Sequence, residues 1–268
     1  MPLQVGFSAD PDDAFMVWAL ETGRVDTRGL DLAPVVSDIQ TLNEWALDGR
    51  LEVTPFSAAV YARVARDYRL LAHSASWGEG YGPIVVAREP LTLDELRRVE
   101  IVSPGSLTTA ELGLRLVLGP DVRTRELPFD RVLPEVAEGR ADAGLVIHEG
   151  QLTYGDAGLH KIVDVGEWWL AETGLPLPLS LVGVRRDVDR AGDVSDVLRE
   201  AIRTGLDHRD EALEYARGYG RGIDAATADR FVSMYVNELT LDMGERGRRA
   251  IGEVLRRVGA RVEPEFVD

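Results

Sequence analysis

The sequence contains no cysteine, which excludes a disulfide framework, a thiolate metal site and a cysteine nucleophile. Lysine is almost as scarce, since Lys161 is the only one among 30 basic residues. It sits beside His160 in what reads as a polar turn, a poor place for a desolvated amine, so Schiff-base chemistry is nearly excluded. There are only 4 histidines, and no H-x-x-x-H or H-E-x-x-H spacing joins any of them, so no zinc site is expected. No apolar run reaches the roughly 18 residues a membrane-spanning helix requires. The opening MPLQVGFSADPDD also lacks the basic and apolar segments of a secretion signal. A cytoplasmic protein without an integral membrane segment is the expectation.

What the chain has in excess is acid, 46 Asp and Glu against 30 Lys and Arg, for a net charge of -16. Nucleic acid and anionic membranes need clustered cations to displace their counterions, so neither is an expected partner. With 268 residues, 45% of them hydrophobic, the chain can bury one large core or two smaller ones.

Strand-like runs alternate with helical patterns, as in an α/β chain with mostly parallel sheets. LQVGF, LAPVVS and LEVTPF each lead into a helix, and a second set follows with VEIVSPG, VRTRELP and AGLVIHE. The runs PIVVARE and LSLVGVRRD, rich in β-branched residues, read as two crossover strands. The expectation is a two-lobed fold with a central ligand cleft. Residues 1–88 and 181–268 form the larger, discontinuous lobe and residues 89–180 the smaller one. The glycines of GEGYGP, just before the first crossover, read as backbone freedom near a hinge. They lack the G-x-G-x-x-G spacing of a nucleotide-phosphate loop.

Three turns feed helix starts. In SPGSLTTAE, Thr108 and Glu111 fit a capping box. The same glycine-containing turn also aims backbone N–H groups at whatever lies beyond, which suits a carboxylate or phosphate. In SADPDDAF, which follows the strand at Ser8, Asp10 reads as an N-cap with Pro11 at the first helical position and Asp12 and Asp13 in the first turn. Capping outweighs metal binding there, because nothing completes a cation cage. In TPFSAA, Ser57 is either a cap or a hydroxyl turned to a ligand. Trp168 and Trp169 could wall an aromatic ligand or simply pack at a lobe boundary.

In GLVIHEGQLTY, the buried-type run 144–147 should end in a strand terminus at His148. Open α/β sheets bind ligands at that end of their strands. A histidine there can take a proton near neutral pH, or it can simply close a strand. Glu149 could orient it, cap, or face solvent.

The ordered series FSADPDDAFMVWAL, SDIQTLNEWALDGRLEVT, GYGPIVVAR, PGSLTTAELGL, FDRVLPEVAEGRADAGLVIHEGQLTY, VDVGEWWLAETGLPLPL and YVNELTLDMGERGRRAI resembles the 1,4-dihydroxy-6-naphthoate synthase family of the futalosine route to menaquinone. The likeness runs over nearly the whole chain. It implies a type II periplasmic-binding-protein fold used as a cytoplasmic, cofactor-free enzyme acting on a small aromatic carboxylate. His148 matches the family's proton-accepting histidine, and Thr109 and Ala110 match its ligand-binding Thr-Ala, with Thr108 beside them. Ser57 matches the serine closing the family's other binding segment. In that segment many members carry Thr-Lys-x-Ser where this chain has Thr54-Pro55-Phe56-Ser57, so Pro55 and Phe56 replace a cleft lysine and its neighbour, and Pro55 lacks an N–H. Ser8 precedes a second departure, Ala9-Asp10-Pro11-Asp12-Asp13, where the family often has Pro-Cys-Pro-Asn-Asp. Two other readings stand beside the synthase: a non-catalytic binding module and a chorismate-dehydratase-like enzyme.

Overall fold

A computed structural model describes residues 2–267. From the N-terminus the chain runs through β1 (Leu3–Ser8), α1 (Pro11–Glu21), β2 (Leu32–Ser37), α2 (Ile39–Leu47) and β3 (Val53–Ser57). A short 3-10 turn, α3 (Tyr61–Val64), β4 (Tyr68–Leu70) and β5 (Ser76–Gly78) follow. The middle of the chain holds β6 (Ile84–Ala87), α4 (Leu93–Leu96), β7 (Glu100–Ser103), α5 (Thr109–Leu118), β8 (Arg123–Glu126) and α6 (Phe129–Ala137). It continues with β9 (Ala143–Val146), α7 (Gly150–Thr153), β10 (His160–Asp164) and α8 (Val165–Thr173). After β11 (Leu177–Arg185) the chain is helical, with α9 (Ala191–Asp207), α10 (Arg209–Arg217), α11 (Ala225–Tyr235), α12 (Glu238–Leu241) and α13 (Gly244–Arg257).

The chain forms two compact units, one made of the residues up to Trp77 and those from Pro178 onward, the other Gly78–Leu177. The discontinuous unit carries a sheet in the order β2-β1-β3-β11-β4, with β5 also paired to β11. Its core gathers α1 with α9 and α10 against this sheet. Helix α1 is buried along residues 11–20, which is why FMVWAL shows no polar face.

The middle unit has a sheet in the order β10-β6-β9-β7-β8. Alternation decides how both of its faces are filled. Val85, Ala87, Ile101, Ala143 and Leu145 point to the face covered by Ala110, Leu114 and Leu118 of α5. Ile84, Val86, Val102 and Val146 point to the face covered by Val132 and Val136 of α6. A strand covered on both sides reads as an unbroken apolar run, which accounts for AGLVI. At Gly144 an added Cβ would lie 2.8 Å from Val136 and 2.9 Å from Val132, so the absent side chain lets α6 approach the sheet. Gly82 and Gly166 do the same for backbone: a Cβ on Gly166 would lie 2.0 Å from the Tyr81 carbonyl oxygen. The GYGP and VGEWW segments are thus in contact, and close approach explains these glycines.

The lone lysine differs from its reading as a turn residue. Lys161 lies in β10, paired antiparallel with β6, because HKIVD is short enough for its polar start to mask the strand. Its ammonium meets Glu167 at 2.9 Å and Asp164 at 3.6 Å, partners that keep it charged.

Candidate active site

Strands β7, β8 and β9 run parallel, with Ile101 beside Ala143 and Glu100 beside Arg123. Their C-terminal ends therefore share one edge of the middle unit's sheet, where open α/β sheets take ligands. Three chain segments leave from this edge: the turn into α5, the turn into α6, and the residues after β9 that carry His148.

His148 has a φ of 55°, the left-handed region that a side chain bearing a Cβ enters at a cost of about 1–2 kcal/mol. Strain of this kind concentrates where function holds it. The imidazole is half-buried and packs edge-to-face on Phe129, with ring centroids 4.8 Å apart and planes at 75°. Its carbonyl oxygen accepts from the Gln151 N–H at 3.1 Å, anchoring the turn into α7. Glu149 is buried, which removes the solvent-facing reading, and its side chain makes no capping bond to α7. Phe129 was not among the sequence-derived candidates, since nothing in FDRVLP places its ring beside a histidine nineteen positions on.

At the start of α5, Thr108 is the N-cap and its hydroxyl oxygen accepts from the Glu111 N–H at 3.1 Å. The reciprocal half of the expected capping box does not form. The buried Glu111 carboxylate instead accepts from Ser103 at 2.6 Å and Thr124 at 2.9 Å, and pairs with Arg115 at 2.7 Å. These partners outcompete the Thr108 N–H, which donates to the Gly105 carbonyl. Thr109 and Ala110 open the helix and are buried. A helix's first turn leaves N–H groups without intrahelical carbonyls and carries the positive end of the dipole. In the loop just before the helix, the Ser106 N–H already holds a carboxylate, donating to Glu126 at 2.9 Å.

The other candidates belong to the discontinuous unit. Ser57 ends β3, and Asn43 of α2 grips it twice: the Ser57 N–H donates to Asn43 Oδ1 at 2.7 Å, and Asn43 Nδ2 donates to the Ser57 hydroxyl at 3.0 Å. The hydroxyl makes no helix-capping bond, and because it accepts from Asn43 its own proton remains to be donated. Asn43 is the second residue that sequence reasoning missed. Along β3 the alternation sends Phe56 into an aromatic core, 6.2 Å from the Tyr61 ring and 5.8 Å from that of Tyr68. Pro55 faces a small cavity of about 30 Å³ with Val5, Met16 and Val182. The β1 to β3 pairing is registered only at Val5 and Val53, and Pro55, lacking an N–H, cannot extend it.

Ser8 donates its N–H to Asp13 at 2.6 Å, and its buried hydroxyl has no hydrogen-bond partner among the described residues. Asp10 caps α1 by accepting from the Asp13 N–H at 3.1 Å, with Pro11 at the helix start, as SADPDD implies. Asp12 accepts from Ser76 at 2.9 Å. The three carboxylates are buried within 4.8 Å of one another, so burial first, and then the charge of Asp10, pushes Asp12 and Asp13 well above the usual carboxylate range. Each has a structural partner. Trp169 is also structural: buried, with its indole N–H donating to the Pro176 carbonyl at 3.1 Å.

A strained histidine and a helix start on one sheet edge fit many proteins, and likeness to other chains narrows the field. A family model described as menaquinone biosynthesis matches residues 3–260. The chain belongs to the menaquinone biosynthesis family. It is 41% identical over 97% of its length to a Thermus thermophilus member called 1,4-dihydroxy-6-naphthoate synthase, covering 94% of that protein. A Streptomyces coelicolor protein of the same name is 37% identical, with 96% of this chain and 93% of that one covered. Among solved structures, this menaquinone-family chain is similar to a protein from Archaeoglobus fulgidus, with a TM-score of 0.91 and 41% identity over 96% of this chain and 97% of that one. It also resembles the alkanesulfonate-binding protein SsuA of Xanthomonas axonopodis, with a TM-score of 0.68 at 14% identity over 87% and 84% of the two chains. That likeness shows the fold, which is periplasmic-binding-protein-like. No helix among the described residues is long and apolar enough to cross a membrane.

Proposed function

We propose that the chain is a 1,4-dihydroxy-6-naphthoate synthase, a cytoplasmic carbon–carbon lyase that converts cyclic de-hypoxanthine futalosine to 1,4-dihydroxy-6-naphthoate. The observation that carries the reading is His148, held in a left-handed backbone on the same sheet edge as the start of α5, in a chain 41% and 37% identical to two proteins of that name.

In this reading the substrate carboxylate docks on the N–H groups at Thr109 and Ala110, with Thr108 fixing the turn. Ser57, whose hydroxyl proton is left to donate, serves as a separate substrate-binding group of the discontinuous unit. His148 removes a hydroxyl proton, the electron pair left on that oxygen forms a carbonyl as the adjacent carbon–carbon bond breaks, and the pair of the broken bond passes to the other fragment as an enolate that takes up a proton. The sugar-derived fragment leaves, and the bicyclic remainder gains aromaticity. That gain drives the reaction, so the protein supplies position and a base, the base contributing on the order of a hundredfold to ten-thousandfold. The steps use the protein's own groups, without a cofactor or metal. Phe56, packed in the aromatic core, has no part in them.

The test is to incubate purified protein with cyclic de-hypoxanthine futalosine and follow 1,4-dihydroxy-6-naphthoate by mass. Product formation is expected; folded protein that binds the substrate and leaves it intact would instead mark a binding module.

A further inference from the structure

The discontinuous unit has a second pocket, of about 550 Å³, whose described lining includes Arg199, Arg203, Arg248, Asp242, Leu241 and Phe266. None of these residues belongs to the candidate active site. Its walls are fixed by ordinary secondary structure. Arg199 and Arg203 lie four positions apart on α9 and so share a helix face. Arg248 is on α13. Phe266 is held by the pairing of the C-terminal segment with β4, where the Leu70 N–H donates to Glu265 and the Val267 N–H to Leu70, each at 2.8 Å.

In a chain of net charge -16, arginines usually find carboxylates, as Arg24, Arg185 and Arg209 do within 3 Å. Among the described residues, the pocket arginines do not. Arg199 makes no hydrogen bond or ion pair with a described residue, and its Nε is sealed from solvent without an acceptor. Arg248 spends its guanidinium on the Phe266 ring, 3.8 Å from the centroid. Arg203 has only Glu200, at 3.8 Å with both side chains mostly exposed, a pairing of little strength. Among the described lining residues the one acid is Asp242, which accepts from the Gly244 N–H at 2.9 Å. Among the described residues, three guanidiniums thus converge on one pocket against a single carboxylate in its wall. Guanidinium forks match the paired oxygens of phosphate and carboxylate groups, and a pocket of this size holds a small organic ligand.

We propose that this pocket is a binding site for a small polyanion, a molecule carrying two or more closely spaced phosphate or carboxylate groups, held by Arg199, Arg203 and Arg248 with its body against Phe266. The experiment is isothermal titration of the full chain with inorganic pyrophosphate and, separately, with citrate, at ionic strength matched with sodium chloride. Saturable binding of at least one probe is expected, and Arg199→Gln with Arg248→Gln should weaken it at least about tenfold, the loss of a charge-assisted contact. Pyrophosphate binding alone would identify a phosphate ligand, and citrate binding alone a polycarboxylate. No saturable binding of either probe, equal affinity in the variant, or heats reproduced by sodium chloride would each overturn the proposal. Thermal unfolding checks that the variant folds; if it does not, the exposed pair Arg203→Gln and Arg248→Gln takes its place with the same expected loss.

Discussion

The Phe129 ring stands edge-to-face with the His148 imidazole at a centroid distance of 4.8 Å. It reaches that position because β8 and β9 flank β7 as parallel neighbours, so the helix following β8 starts beside the turn following β9. The contact restrains an imidazole whose backbone is already fixed in the left-handed region.

Phe129→Leu keeps an apolar side chain but removes the aromatic partner. A stability loss of about 0.5–1.5 kcal/mol is expected. In steady-state kinetics kcat should fall while KM stays nearly constant, because the ring orients the base without holding the carboxylate.

Gly144→Val tests how α6 is seated. The new side chain collides with Val132 and Val136, which leave a Cβ only 2.9 and 2.8 Å. Denaturant unfolding should show a loss of about 1–3 kcal/mol. Displacing α6 also displaces Phe129 at its first residue, so kcat should drop with stability. A variant as stable as the parent would show that α6 is not seated through Gly144.

Asn43→Ala removes both hydrogen bonds to Ser57 and leaves a buried N–H without its acceptor. The expected cost is about 1–3 kcal/mol. Because Ser57 then loses its fixed orientation, KM should rise more than kcat falls. Ser57→Ala in the same assay should raise KM with a smaller loss of stability.

Acid should weaken the protein through His73. Its ring is buried between the Ser74 and Ser195 hydroxyls at 2.6 and 2.9 Å. Burial, reinforced by the nearby Arg199 charge, pushes its pKa down from 6.5 to about 3. The unfolded chain therefore takes up this proton first. The contribution is fully present above about pH 6.5 and is lost as pH falls toward 3, at most about 5 kcal/mol over that window. Asp12 and Asp13, raised by burial and then by Asp10, act in the opposite sense, since the folded state keeps their protons to higher pH. Unfolding free energies of the parent and of His73→Gln, measured across this range, should differ in slope, with the variant losing less stability on acidification.

Much of this was legible in the sequence. The apolar run 144–147 ends where His148 begins because a strand covered on both faces admits no polar residue until it leaves the sheet. Asp10, Pro11 and Asp13 act locally, so SADPDD announced the start of α1 correctly. Local pattern failed where tertiary partners intervened. Glu111 fits a capping box by spacing, but the hydroxyls of Ser103 and Thr124 claim its carboxylate. Phe56 sits in a binding motif by resemblance, yet strand alternation turns it toward Tyr61 and Tyr68. Asn43 and Phe129 carry no motif, because each matters only through a residue that folding brings to it.

The most direct test of the account compares the parent with His148→Asn, since asparagine tolerates the left-handed backbone that His148 adopts. Turnover of cyclic de-hypoxanthine futalosine and substrate affinity by calorimetry would be measured on both proteins. The account predicts that turnover falls on the order of a hundredfold or more while affinity and thermal stability are largely kept. Turnover at the parent rate in His148→Asn would contradict it and remove His148 from the mechanism.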